Sequence, residues 1–302
     1  MREGEFVLGG QAVIEGVMMK GEKEFAVAVR GPSGEIVAEV FPITQGRLRS
    51  LFGKAFLLRG VVTLVTMLSI GVKALSFSAR IAMEEEEEEV PSWVMPLTVA
   101  GALLLGVGLF FVLPYGAGVL FSSLTGFEVG SLSFNLFEGV LRAIVFLLYL
   151  WSITLFPDVR RVFQYHGAEH KVVNAWESGS PLTTDEVMKH SRFHPRCGTS
   201  FIFFVLLVSI LVFSLIPSHY SLLAKGGLRI LLLPVVAGIS YEIIRMSGKR
   251  RESSLFRAVA APGMFFQRFT TFEPEPDMVE VALESFRKIS PEGEKPENAF
   301  EA

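Results

Sequence analysis

The sequence predicts a mainly α, polytopic helical membrane protein with about four transmembrane helices, a small N-terminal β element and a helical cytosolic loop carrying His and Cys. Three observations lead there. Half of the 302 residues are hydrophobic, 27 are Phe and the mean hydropathy is +0.46, above what a soluble domain carries. No residue between Glu89 and Glu128 is charged. Four of the five histidines and the single cysteine fall in one polar segment between apolar stretches. The net charge of −3 gives no reason to expect nucleic acid, and one cysteine excludes an intrachain disulfide.

Residues 1–50 read as a small cytosolic β-hairpin element: FAVAVR and EIVAEVF alternate apolar and polar residues around the turn signal GPSG. Met18 and Met19 read as core. The first residues lack the apolar run of a signal peptide, so the chain is expected to begin as written. Residues 51–90 hold an apolar stretch, Phe52 to Ala82, interrupted by Arg59 and Lys73, which reads as an amphipathic or partly embedded helix. The Glu84 to Glu89 run reads as a solvated linker.

Residues 91–157 supply two spans, Val94 to Leu113 and Val140 to Phe156; residues 199–246 supply two more, Thr199 to Ile216 and Leu228 to Ile244. Between them lies a helical loop, 158–198. Residues 247–302 read as an interfacial turn, a short amphipathic helix from about Asp277 and a disordered tail after Ser290. Lys and Arg are absent between Arg80 and Arg142 but recur in the 158–198 loop and the C-terminal segment. The N-terminus, that loop and the C-terminus are therefore expected in the cytosol of a multi-pass cell-membrane protein.

The loop carries the chemistry. HGAEH fits H-x-x-E-H, in which two histidines four apart face one way and the Glu serves as general base. At about 100° per residue, His166 and His170 differ by about 40° in azimuth, so both imidazoles can reach one ion while Glu169 stands beside it. His190, His194 and Cys197 repeat a ligand spacing in the same loop, and imidazole with thiolate is a zinc-type set. Three protein ligands with an open position would make a catalytic site, and a fourth from Cys197 would close it; Cys197 reads equally as a small core residue. Asn174 and Glu177 lie on nearby helix faces and could accept an imidazole N–H. Near the bilayer, Glu242 and Arg245 can pair on one helix face at the cytosolic end of the last span, and Arg142 stands near the outer end of the second.

Five motifs in order, GGQAVIEGVMM, HGAEHK with N-x-W-E, HPRCGTSF, YEIIR and QRFTTFEP, resemble the YqhQ-like bacterial membrane family of unknown function, described as metal-dependent enzymes. The resemblance implies a bacterial inner-membrane protein with metal positions at His166, His170, His194 and Cys197 and Glu169 beside them; His190 lies outside the motifs. Two functions are expected from these readings. One is a zinc-dependent hydrolase acting at the cytosolic membrane interface, with zinc or another divalent metal, the lipid bilayer as its setting and Glu169 as base. The other is a non-catalytic membrane factor whose structural metal folds the loop to dock a protein-translocation or envelope-assembly complex.

Overall fold

The computed structural model describes residues 9–43, 55–82, 94–126, 128–217, 219–249 and 254–290. The acidic run, the tail after Ser290 and the extreme N-terminus lie outside them. Strands β1 (Gly9–Val13), β2 (Gly16–Lys20), β3 (Glu24–Arg30) and β4 (Ile36–Pro42) form an antiparallel meander in chain order. The register Val13↔Gly16 leaves only Ile14 and Glu15 for the first turn, and Glu15 takes a left-handed φ of 50° that non-glycine residues rarely adopt. Its carboxylate is held there by Arg161 Nε at 2.5 Å and Nη2 at 2.7 Å. The GPSG turn closes the last hairpin, with Gly34 at φ 91°.

Both faces of the sheet are buried, so it is the middle layer of a larger unit and not a free-standing hairpin element. Val13, Met18, Phe25, Val27 and Val29 pack against Ile70, Ala74, Phe77 and Ile81 of α1 (Leu58–Ala82). Val17, Met19, Ala26 and Ala28 face the other way, against α5 (Pro157–Glu177) and α10 (Pro276–Ile289). Alternate residues of one strand thus point into two cores, which is why adjacent Met18 and Met19 are both fully buried. Helix α10 presents Met278, Ala282, Phe286 and Ile289 as one stripe, and Ser285 ties it to the sheet by accepting from Met19 N and donating to Ala26 O, each at 3.1 Å.

The remaining helices are α2 (Val94–Val107), continuing through a π turn at Gly108–Val112 into α3 (Leu113–Thr125), then α4 (Leu132–Ile153), the short α6 (Thr184–Met188), α7 (Gly198–Ser214), α8 (Leu222–Lys249) and α9 (Ser254–Phe266). Four stretches are long and apolar enough to cross a membrane: Leu58–Ala82, Ala100–Thr125, Leu132–Ile153 and Ala224–Met246. The chain is a helical membrane protein. This set differs from the sequence reading, which left out 52–82 and counted 199–216. Arg59 does not break α1, because Glu242 of α8 neutralises it, whereas α7 has only 17 residues. At 1.5 Å per residue, α7 is about 26 Å long, at the short end of a span.

Candidate metal centre

Helix α5 leaves the membrane-side helix α4 at Pro157, whose missing N–H costs nothing in a first turn. One face of α5 enters the sheet core through Tyr165, Ala168 and Val172, which turns His166, Glu169 and His170 toward the segment 190–200 and the stretch after α9. Gly167 is required on this helix because a Cβ would run into the Phe272 carbonyl. Gly10 has the same role on β1, where a Cβ would press into Glu169. Its N–H donates instead to the Glu169 carboxylate.

His166 Nδ1 lies 2.7 Å from Thr270 O and His170 Nδ1 lies 2.6 Å from Arg192 O. A carbonyl only accepts, so both imidazoles carry a proton on Nδ1 and turn Nε2 inward. His166 Nε2 is 3.2 Å from Cys197 Sγ, and His170 Nε2 is 3.5 Å from Glu169 Oε2. The ligand atoms of His166, His170 and Cys197 all lie within 4.8 Å of one another. Cys197 caps α7, its sulfur accepting from Thr199 N. Glu169 and His170 are almost fully buried. Burial pushes the Glu169 carboxyl up to about 7 against the pull of His166, Arg196 and the Gly10 N–H, and burial lowers His166.

The structure brings His166, Glu169, His170 and Cys197 together; the His194 ring packs beside that of His170, centroids 5.8 Å apart, but the close group of ligand atoms is His166, His170 and Cys197. His194 uses both ring nitrogens elsewhere: Nδ1 accepts from Arg196 N at 3.4 Å and Nε2 donates to Glu177 at 3.4 Å. Glu177 also pairs with Arg196. His190 contributes its carbonyl, which takes a hydrogen bond from Lys171 Nζ at 2.8 Å. Asn174 does not accept from an imidazole; its amide donates to Ser191 O at 2.7 Å and Phe193 O at 3.1 Å, pinning the loop that presents Arg192 O. Glu242 pairs with Arg59 and not, as its spacing suggests, with Arg245.

Gln267 was not singled out by the sequence pattern, yet it clamps the site. Fully buried, it accepts from His194 N at 3.0 Å and donates to His194 O at 2.8 Å and to Ser200 Oγ at 3.1 Å. The following residues supply Thr270 O to His166, Thr271 O to Arg192 at 2.5 Å and Glu273 to Lys171 at 2.6 Å. QRFTTFEP is therefore the wall of the centre. The signal available in the sequence was its polar Gln beside a Phe-rich helix end.

Fold and site together define a membrane protein with a buried His–His–Cys cluster on the unit built from its N-terminal sheet and C-terminal helix. The family model described as "Protein of unknown function (DUF1385)" matches residues 56–292, and the chain belongs to that family. It is 33% identical over 294 residues to "Uncharacterized protein YqhQ" of Bacillus subtilis (strain 168), covering 93% of this chain and 91% of that protein. No solved structure matches.

Proposed function

We propose that the protein is a membrane metalloenzyme, a zinc-dependent hydrolase working where its compact unit meets the bilayer. The observation that carries this reading is the orientation of the two imidazoles. His170 Nε2 and Glu169 Oε2 face each other at 3.5 Å, a contact that needs a cation or a proton between them. Metal-ligating histidines characteristically donate their other N–H to a carbonyl, as His166 and His170 do. The edges of a tetrahedral zinc site are roughly 3.3–3.7 Å, close to the His166–Cys197 separation of 3.2 Å.

His166, His170 and Cys197 would hold the ion, and three protein ligands leave a position for water. The chemistry an ion held there supplies is Lewis-acid activation of water. Glu169, fixed by the Gly10 N–H, stands where its carboxylate takes a proton from water at the cluster. A cleft of about 330 Å³ beside α9 is lined by Phe193, Ala261, Met264, Phe265 and Arg268, none of them a residue of the cluster.

The topology follows from parity. Sheet, α1 C-terminal half, α5 and α10 are one packed unit and lie on one side of the membrane. Residues 43, 82, 157, 177 and 276 are then all on that side, so crossings between them come in pairs: 100–125 with 132–153, and 198–214 with 224–246. Helix α1 enters only partway. Gly60 meets Tyr241 and Leu57 meets Gly238, about 8 and 12 Å before Met246, where the apolar stretch of α8 ends. The basic loop residues support the cytosol as that side, in a cell-membrane protein.

The experiment is Glu169→Gln, which keeps size but removes the base. The variant should retain metal and fail to complement a deletion strain. Normal complementation would favour a metal-folded factor that docks a translocation or envelope-assembly complex. A second enzymatic reading has its own observation: Cys197 caps the N-terminus of α7 with its sulfur 3.2 Å from His166 Nε2, a nucleophile beside a base. Metal-free protein that stays functional and is inactivated by alkylation of Cys197 would select that reading.

A further inference from the structure

Far from the histidine cluster, three charged side chains meet among the apolar helices. Glu138 of α4 pairs with Arg142 one turn later and with Arg229 of α8, whose Nη2 lies 2.8 Å from Glu138 Oε2. Glu138 is 1% exposed and Arg142 8%. The arrangement has a cause in the sequence. Pro114 has no N–H to give the carbonyl four residues earlier, Phe110 O in the π turn, and Arg142 Nε–H donates to that oxygen at 2.9 Å. Arg142 is thereby fully engaged, and its guanidinium also lies over the Phe111 ring at 5.4 Å.

Arg229 is not. Two guanidinium groups share one carboxylate, and among the described residues no second acidic group pairs with either. The triad therefore carries one more positive than negative charge among the apolar helices, a balance that one bound anion would complete. Arg229 Nε is buried and makes no hydrogen bond among the described residues, while the side chain as a whole remains 18% exposed. Its Cα is five residues into the apolar stretch that starts at Ala224, about 8 Å from that end, within reach of the headgroup level by snorkelling. Both α4 and α8 begin at this end, opposite the end of α4 from which the histidine helix leaves.

The geometry points to a binding site for the phosphodiester headgroup of an anionic phospholipid at Arg229, in the leaflet opposite the histidine cluster. Glu138 orients the guanidinium through Nη1 at 3.3 Å and Nη2 at 2.8 Å, and Arg142 locks Glu138 to the π turn, so the N–H groups of Arg229 that Glu138 does not take are left for a ligand. A phosphodiester supplies the single negative charge that the triad lacks and two oxygens for that edge. This site does not depend on the metal reading.

The test uses the full chain, purified in detergent and analysed by native mass spectrometry after exposure to equal amounts of phosphatidylglycerol and phosphatidylcholine with the same acyl chains. The wild type should retain one phosphatidylglycerol with a preference of at least about tenfold, the effect of one charge-assisted contact of about 1.4 kcal/mol. Arg229→Gln should lose that preference, and Arg245→Gln, at the opposite end of α8, should keep it. Inorganic phosphate at millimolar concentration should leave the lipid bound; displacement by phosphate would mean a soluble oxyanion occupies the site and would overturn the assignment to lipid. Equal retention of the two lipids by the wild type would also overturn it, whether or not Arg229→Gln folds, as would an Arg229→Gln protein that retains phosphatidylglycerol like the wild type.

Discussion

Gln267→Leu tests how the centre is held without touching any ligand. The change keeps the side chain's approximate volume and removes three hydrogen bonds, to His194 N at 3.0 Å, His194 O at 2.8 Å and Ser200 Oγ at 3.1 Å. His194 is 4% exposed and Ser200 3%, so water cannot replace the lost partners at either backbone group. Each buried group left unsatisfied costs about 1–3 kcal/mol, so the two His194 backbone groups together set an expected loss of about 2–6 kcal/mol. The damage should extend to chemistry, because the segment that Gln267 anchors carries both Arg192 O, which orients His170, and Cys197. Denaturant unfolding in detergent, followed by the fluorescence of Trp176 in a variant whose other tryptophans are replaced, reads the stability. Metal content reads the site. A loss below about 1 kcal/mol with metal content unchanged would refute the clamp, since the penalty for two orphaned backbone groups could not then have been present.

Other perturbations separate neighbouring roles. Gly167→Ala should destabilise despite the roughly 1 kcal/mol that alanine gains over glycine within a helix, because the new methyl meets the Phe272 carbonyl; thermal melting checks the sign. Gly10→Ala should fail to complement a deletion strain, as Glu169→Gln should, while leaving metal content and secondary structure by circular dichroism intact, since the methyl displaces the Glu169 side chain. Arg161→Ala should cost about 1–2 kcal/mol, more than an ordinary surface pair, because Glu15 then loses the two-point partner that holds its left-handed turn; unfolding of Arg161→Ala, Glu15→Gly and the double variant forms a cycle that isolates the pair. Gly139→Leu should disrupt packing of α4 on α7, where a Cβ already meets Ile210 at 2.9 Å, and lower the yield of folded protein on size-exclusion chromatography.

The apolar architecture was legible because hydropathy and length act on whole segments. Ala100–Thr125, Leu132–Ile153 and Ala224–Met246 contain or overlap the three spans read from their composition. The amphipathic helix from Asp277 was legible for a similar reason: its buried stripe repeats at helical spacing from Met278 to Ile289. The role of 58–82 was harder to read, because half of its apolar face covers a sheet and not lipid, a tertiary fact with no local signature. Within the centre, the i, i+4 spacing on a helix fixed His166 and His170 as a pair. Membership of the second cluster depended on the path of the 178–198 loop, and that path is set by Lys171, Asn174 and Gln267 holding backbone carbonyls. The acceptors that fix the two imidazoles, Thr270 O and Arg192 O, are main-chain atoms that any residue could supply, so no side-chain pattern announces them.

The central claim is that His166, His170 and Cys197 hold one ion and that His190 and His194 do not. Elemental analysis of chelator-free protein measures this directly across the wild type and five single variants. The account predicts about one zinc per chain in the wild type, in His190→Ala and in His194→Ala, with loss in His166→Ala, His170→Ala and Cys197→Ser. A metal-free wild type, or loss of metal in His194→Ala equal to that in His166→Ala in a protein that still folds, would contradict it.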